Sequence, residues 1–140
     1  MELAELDPAY MTALSRQFGF LGAFLGGVSA TFFVTLLTLS KPSAAARWSM
    51  GLSATAAVAF IVTASLSMTM IAANHPQAPG FVAEDANEFE QLAMAIGFAI
   101  GIYSLLGAIG TSGWMRTRTL GFVTTTVAAI AAIPITISIL

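Results

Sequence analysis

The chain has 140 residues, 57% of them hydrophobic and only 9% charged, with a net charge of −2 and no cysteine. Ordinary soluble domains carry about 25% charged residues, so these charges are too few to cover a water-exposed surface, and without a basic patch the sequence argues against a nucleic-acid partner. The lack of cysteine excludes disulfides, thiolate catalysis and cysteine-ligated zinc.

The N-terminus reads Met-Glu-Leu-Ala-Glu-Leu-Asp, acidic where a secretory signal is basic, so no cleaved leader is expected. Asp7-Pro8 is a helix start, since Asp caps and Pro fits the first helical position. From Pro8 to Leu39 only glycines interrupt the helical pattern, and lipid-embedded helices tolerate them. That stretch is about 48 Å long at 1.5 Å per residue, more than a hydrocarbon core of roughly 30 Å. Tyr10 and Arg16 are therefore expected at or outside the interface, with the first span at about 17–39.

Ser40-Lys-Pro-Ser43 is a tight turn. Pro42 disfavours helix at Lys41, and Ser43 caps the second helix. The second span covers about 48–72 and stops at Asn74-His75-Pro76, read as a left-handed Asn followed by a breaker. Residues 74–87 form an acidic extramembrane loop kept irregular by Pro76, Pro79 and Gly80. Asp85 with Glu88, or Asn87 with Glu90, fits a capping box at the start of the third helix. The third span is about 91–112, with Gly113 as its C-cap, and the fourth about 119–140, with Pro134 expected to kink it. The whole is one domain: an all-α integral membrane protein of four transmembrane helices in an up-down bundle with short loops and both termini on the same side.

Orientation is read from charge. Lys41 and Arg47 lie in the basic turn 40–47, and Arg116 and Arg118 in the basic turn 113–118. The opposite side holds all seven acids, Glu2, Glu5, Asp7, Glu84, Asp85, Glu88 and Glu90, with Arg16 as its only Lys or Arg. The positive-inside rule puts the basic turns in the cytoplasm of a bacterial cell and the termini and loop 74–87 outside its cytoplasmic membrane. Trp48 and Trp114 sit beside the basic turns as an aromatic belt. The segment Gly51-Leu-Ser-Ala-Thr-Ala-Ala-Val can also be laid on Gly121-Phe-Val-Thr-Thr-Thr-Val-Ala, a weak hint that the second hairpin repeats the first.

Small residues form the clearest pattern. The first helix carries Gly19, Ala23 and Gly27 at spacing four, and Gly22, Gly26 and Ala30 beside them. The second has Gly51, Thr55, Ala59, Thr63 and Ser67; the third Ala93, Gly97 and Gly101; the fourth Thr124, Ala128, Ala132 and Thr136. Lipid supplies no hydrophobic drive between helices, so close backbone approach over small residues supplies the packing. Gly19, Gly22, Gly26, Gly27, Gly97 and Gly101 are therefore the candidate packing and assembly residues, and the first helix is the expected dock for other helices or other copies of the chain.

No span contains Asp, Glu, Lys, Arg or His. Proton-coupled transporters, pumps and voltage sensors place such groups in the bilayer, and none is offered here. The only histidine, His75, is in a loop and is a poor ligand set by itself. No nucleophile elbow or paired intramembrane carboxylates appear, so neither enzyme activity, a metal nor a cofactor is expected. Tyr103 and Ser104 need hydrogen-bond partners in mid-span. The expected function is a non-enzymatic membrane subunit that assembles with itself or with a membrane-protein partner in the lipid bilayer. The alternative is a homo-oligomeric channel for ions or small solutes. Its acidic mouth would be Glu84, Asp85, Glu88 and Glu90, and its path would be lined by Thr55, Thr63, Ser67, Thr124 and Thr136.

Overall fold

The computed structural model describes residues 8–39, 42–75 and 88–139. Among these residues are four α-helices: α1 (Pro8–Leu37), α2 (Ala44–Ala73), α3 (Glu88–Ser112) and α4 (Arg118–Ile139). A single 3-10 turn, Gly113–Met115, joins the last two, and no strand occurs among the described residues. Each helix is long and apolar enough to cross a membrane. The protein is an all-α integral membrane protein whose four helices run up and down.

The helix ends show how the sequence sets them. α1 begins at Pro8, whose missing N–H costs nothing at a first helical position. Ser43 caps α2: its hydroxyl accepts from the Ala46 N–H at 3.2 Å. α2 stops at Asn74 by a different device from the one expected. Asn74 has φ −84°, so its backbone is not left-handed. Its side chain folds back instead, and Nδ2 donates to the Met70 carbonyl at 2.8 Å. This satisfies a carbonyl that the helix end would leave bare. Gly113 likewise is no left-handed cap; it opens the 3-10 turn, and no glycine among the described residues has a positive φ. Asp85, Asn87 and Lys41 lie outside the described residues. α4 runs through Pro134 as one continuous helix.

The glycine strip of α1 does dock a helix, α2, but α1 is not the helix the others gather on. α2 is the central helix, with α1 on one side and α3 on the other, while α4 packs against α3 and the 3-10 turn. The reason lies in the spacing of the buried residues. On α2 these include Ala46, Ser49, Ser53, Ala56, Phe60, Thr63, Ser67 and Met70, with steps alternating between three and four. That alternation keeps one seam facing a neighbour along a left-handed supercoil. The strict spacing of four drifts, because four residues turn the helix by about 40° more than one revolution. Gly51 and Thr55, at the start of that ladder, are accordingly exposed, whereas Thr63 and Ser67 are buried.

Phe60 is the centre of the seam. It has no exposure and is the largest of the fully buried side chains. Phe98 of α3 meets it edge-on at 5.9 Å, and Phe18 of α1 meets Phe98 edge-on at 4.9 Å. Edge-to-face pairs of this kind add about 0.5–1.5 kcal/mol each beyond the area they bury. Three helices therefore share one aromatic cluster.

Candidate functional site

Glycines let α1 and α3 reach α2. A Cβ on Gly22 would stand 3.1 Å from the Phe60 carbonyl oxygen, and one on Gly26 3.3 Å from the Phe60 Cβ. At Gly19 it would stand 3.2 Å from the Ser67 Cβ. On α3, a Cβ at Gly97 would reach the Thr63 hydroxyl at 3.0 Å, and one at Gly101 would come within 2.7 Å of the Phe60 ring. Five of the six candidate glycines thus make contacts inside the chain. Gly27 differs: no described atom beyond its own stretch of helix lies within 4 Å of where its Cβ would be.

Gly27 sits in a groove on the outward side of α1, of about 650 Å³, lined by Ala23, Phe24, Gly27, Val28, Thr31, Phe32 and Thr35. A second groove of about 430 Å³ continues along Ala30, Thr31, Val34, Thr35 and Thr38. The threonines here are satisfied within their own helix: Thr31 donates to the Gly27 carbonyl at 2.9 Å and Thr35 to the Thr31 carbonyl at 2.8 Å. Their hydroxyls are therefore not costly to leave facing lipid.

The five hydroxyls expected to line a path lie in three places. Thr55 is exposed and donates to the Gly51 carbonyl at 2.9 Å. Thr63 and Ser67 are fully buried in the three-helix seam and donate to the Ala59 and Thr63 carbonyls. Thr124 and Thr136 belong to the α3–α4 contact. Thr124 donates to the Gly110 carbonyl at 3.0 Å, and Thr136 lies 2.7 Å from the Tyr103 hydroxyl. Tyr103 thereby finds the mid-span partner that its position demanded. Of the four acids expected at a mouth, Glu84 and Asp85 lie outside the described residues. Glu88 opens α3, and Glu90 stands two residues later. One oxygen of Glu90, Oε2, is buried with no hydrogen-bond partner.

Several features escaped the sequence reading. Ser15 and Ser29 of α1 are buried, at 1% and 0% exposure, and their hydroxyls have no hydrogen-bond partner. Met70 and Met94 are buried in the same seam, and the Ser67 hydroxyl donates to the Met94 Sδ at 3.2 Å as well as to its own helix. The alternating steps of three and four on α2 were a signal that would have found Phe60 and Met70. Among the described residues no group of three His, Cys, Asp or Glu gathers to hold a metal.

No protein-family model, no curated protein sequence and no solved structure matches the chain.

Proposed function

We propose that the protein is a non-enzymatic membrane subunit that assembles with a second copy of itself through the outward face of α1. Gly27 carries this reading. It is the one candidate glycine of α1 whose missing side chain admits nothing from another described helix, and it lies in a shallow surface groove where Ala23, Thr31 and Thr35 alternate with Phe24, Val28 and Phe32. A glycine facing lipid gains no packing, while a glycine facing another helix lets the two backbones approach. We further propose that the basic turns 40–47 and 113–118 face the cytoplasm of a bacterial cell, as the distribution of Arg and Lys favours.

The test is Gly27→Leu, alone and with Thr31→Leu, read by cross-linking in native membranes and by the mass of the purified protein in detergent. The expected result is loss of the oligomer with the monomer fold retained, because position 27 has open space around it. Assembly at wild-type levels in the double variant rules out the α1 face as the interface.

A further inference from the structure

Among the described residues α2 and α4 both pack on α3 but not on each other. Gly107 of α3 lies between them. A Cβ there would stand 3.1 Å from Leu52 of α2, and the same glycine lines a groove of about 290 Å³ with Thr125, Ala128 and Ala129 of α4. Ile100, seven residues earlier, lines a groove of about 480 Å³ with Ala54, Thr55, Val58 and Ala59 of α2. Seven residues bring a helix back to the same face within about 20°. Ile100 and Gly107 are thus the floor of one apolar cleft, with α2 as one wall and α4 as the other.

The same interval puts a charge at the head of each wall. Arg47 stands seven residues before Ala54, Trp48 seven before Thr55, and Arg118 seven before Thr125. Arg47, Trp48 and Arg118 are exposed, as is Arg116. The helix ends that carry them are held together. Ser49 donates to the Ala108 carbonyl at 2.8 Å, and α2 also meets the 3-10 turn that leads into α4. That turn is itself fixed: the Arg116 N–H donates to the Gly113 carbonyl at 3.3 Å, Trp114 Nε1 to the Thr125 hydroxyl at 3.0 Å, and the Leu120 N–H to the Thr117 hydroxyl at 3.2 Å. The described acids, Glu88 and Glu90, are at the other end of α3. Glu90 lies about 27 Å along that helix from Ala108, well beyond a Debye length of about 8 Å at physiological salt. The three arginines therefore have no counter-charge among the described residues.

We infer that this cleft holds one anionic phospholipid per chain. Its phosphate lies between Arg47 and Arg118, with Arg116 beside them, and an acyl chain runs down the floor of Ile100 and Gly107. Guanidinium groups match phosphate oxygens in bidentate pairs, and basic sites between membrane helices suit anionic headgroups. An apolar cleft leading straight down from the arginines fits a lipid better than a soluble anion. A second copy lying the same way up would bring its own arginines to this level, and like charges would oppose it.

The test is native mass spectrometry of the full-length protein in detergent, titrated with a phosphatidylglycerol or a phosphatidylcholine of the same acyl chains. The expected result is one retained phosphatidylglycerol, bound at least about fivefold more tightly than phosphatidylcholine. Arg47→Gln and Arg118→Gln should each weaken phosphatidylglycerol about fivefold, the equivalent of about 1 kcal/mol per basic residue, and leave phosphatidylcholine unmoved. Equal affinity for the two lipids, or wild-type affinity for phosphatidylglycerol in Arg47→Gln/Arg118→Gln, overturns the headgroup site. Ala129→Trp and Thr55→Trp fill the cleft from opposite walls, at exposed positions, and keep the arginines. Each is expected to lose the one-lipid species, and wild-type affinity in either overturns the cleft and leaves only lipid drawn to a charged surface. Inorganic phosphate is expected not to displace the lipid; displacement at equal concentration assigns the arginines to a soluble anion and overturns the proposal. A protein dimer that the arginine variants dissociate assigns the cleft to a second copy and overturns it too.

Discussion

In the α1–α2 hairpin, Gly22 and Gly26 bring α1 against the backbone and Cβ of Phe60. In the α3–α4 hairpin the contact is polar. The Trp114 Nε1 donates to the Thr125 hydroxyl at 3.0 Å, Thr124 and Thr125 both donate to the Gly110 carbonyl, and Tyr103 pairs with Thr136. The two hairpins have similar Gly-, Ala- and Thr-rich sequences, yet 33% of the most apolar stretch of α2 is buried inside the protein and only 11% of that of α4. The difference teaches what a small residue does in lipid. Where it falls on the three-and-four seam it is buried and sets a backbone approach. Where it falls off that seam, hydroxyl pairing joins the Trp114–Phe122 ring contact in tying the helix down, and such hydrogen bonds average about 0.6 kcal/mol in membranes, with a maximum of about 1.7. The half-to-half repeat fares poorly on the same ground. Gly51 opens on empty space, whereas a Cβ at Gly121 would collide with the Trp114 ring.

Substitutions grade the contrast. Gly22→Leu and Gly101→Leu should be most damaging, each by about 3 kcal/mol or more, since the new side chain meets the α2 backbone or an immobile Phe60 ring. Unfolding in mixed micelles, followed by tryptophan fluorescence, reads this, and a loss below about 1 kcal/mol, near the lower end of typical overpacking costs, breaks the claim that glycine holds the hub. Gly113→Ala comes next. Its Cβ would overlap the Thr124 hydroxyl and the Leu120 carbonyl, so a cost of about 1–3 kcal/mol is expected. That cost should be confined to the α3–α4 hairpin. Tyr103→Phe removes one hydrogen bond and should cost about 0.6 kcal/mol; a loss of several times that would make α4 an integral part of the hub. Gly27→Leu should change monomer stability least, by less than about 0.5 kcal/mol, while disrupting the proposed assembly.

Much of the fold was legible. Four charge-free apolar runs in a chain this poor in charge leave little but four membrane helices, and Pro8 and Ser43 mark helix starts by local chemistry that needs no tertiary context. The hub was not legible from α1. Its glycines are conspicuous because they lack side chains, but a glycine strip marks only where something approaches. What approaches is Phe60, a residue that looks like lipid-facing filler until the alternating buried positions around it are traced. The polar latch on α4 was half legible. Tyr103 in mid-span announces a need for a partner, but its pairing with Thr136 depends on the register of α3 against α4, which no local pattern specifies. The orphaned Ser15 and Ser29 were invisible for a related reason: whether a serine in a helix bonds to its own backbone or faces a seam is decided by the neighbouring helix.

The central claim is that the glycine strip of α1 is used inside the chain, against α2. Since the chain has no cysteine, Gly19→Cys/Ser67→Cys introduces a single pair whose Cβ atoms stand about 3.2 Å apart, close to the spacing a disulfide spans. Mild oxidation in native membranes, followed by non-reducing electrophoresis, separates the two uses of the strip. The account predicts an intramolecular disulfide and a band at monomer mass. A disulfide-linked dimer, or no cross-link in a folded protein, contradicts it.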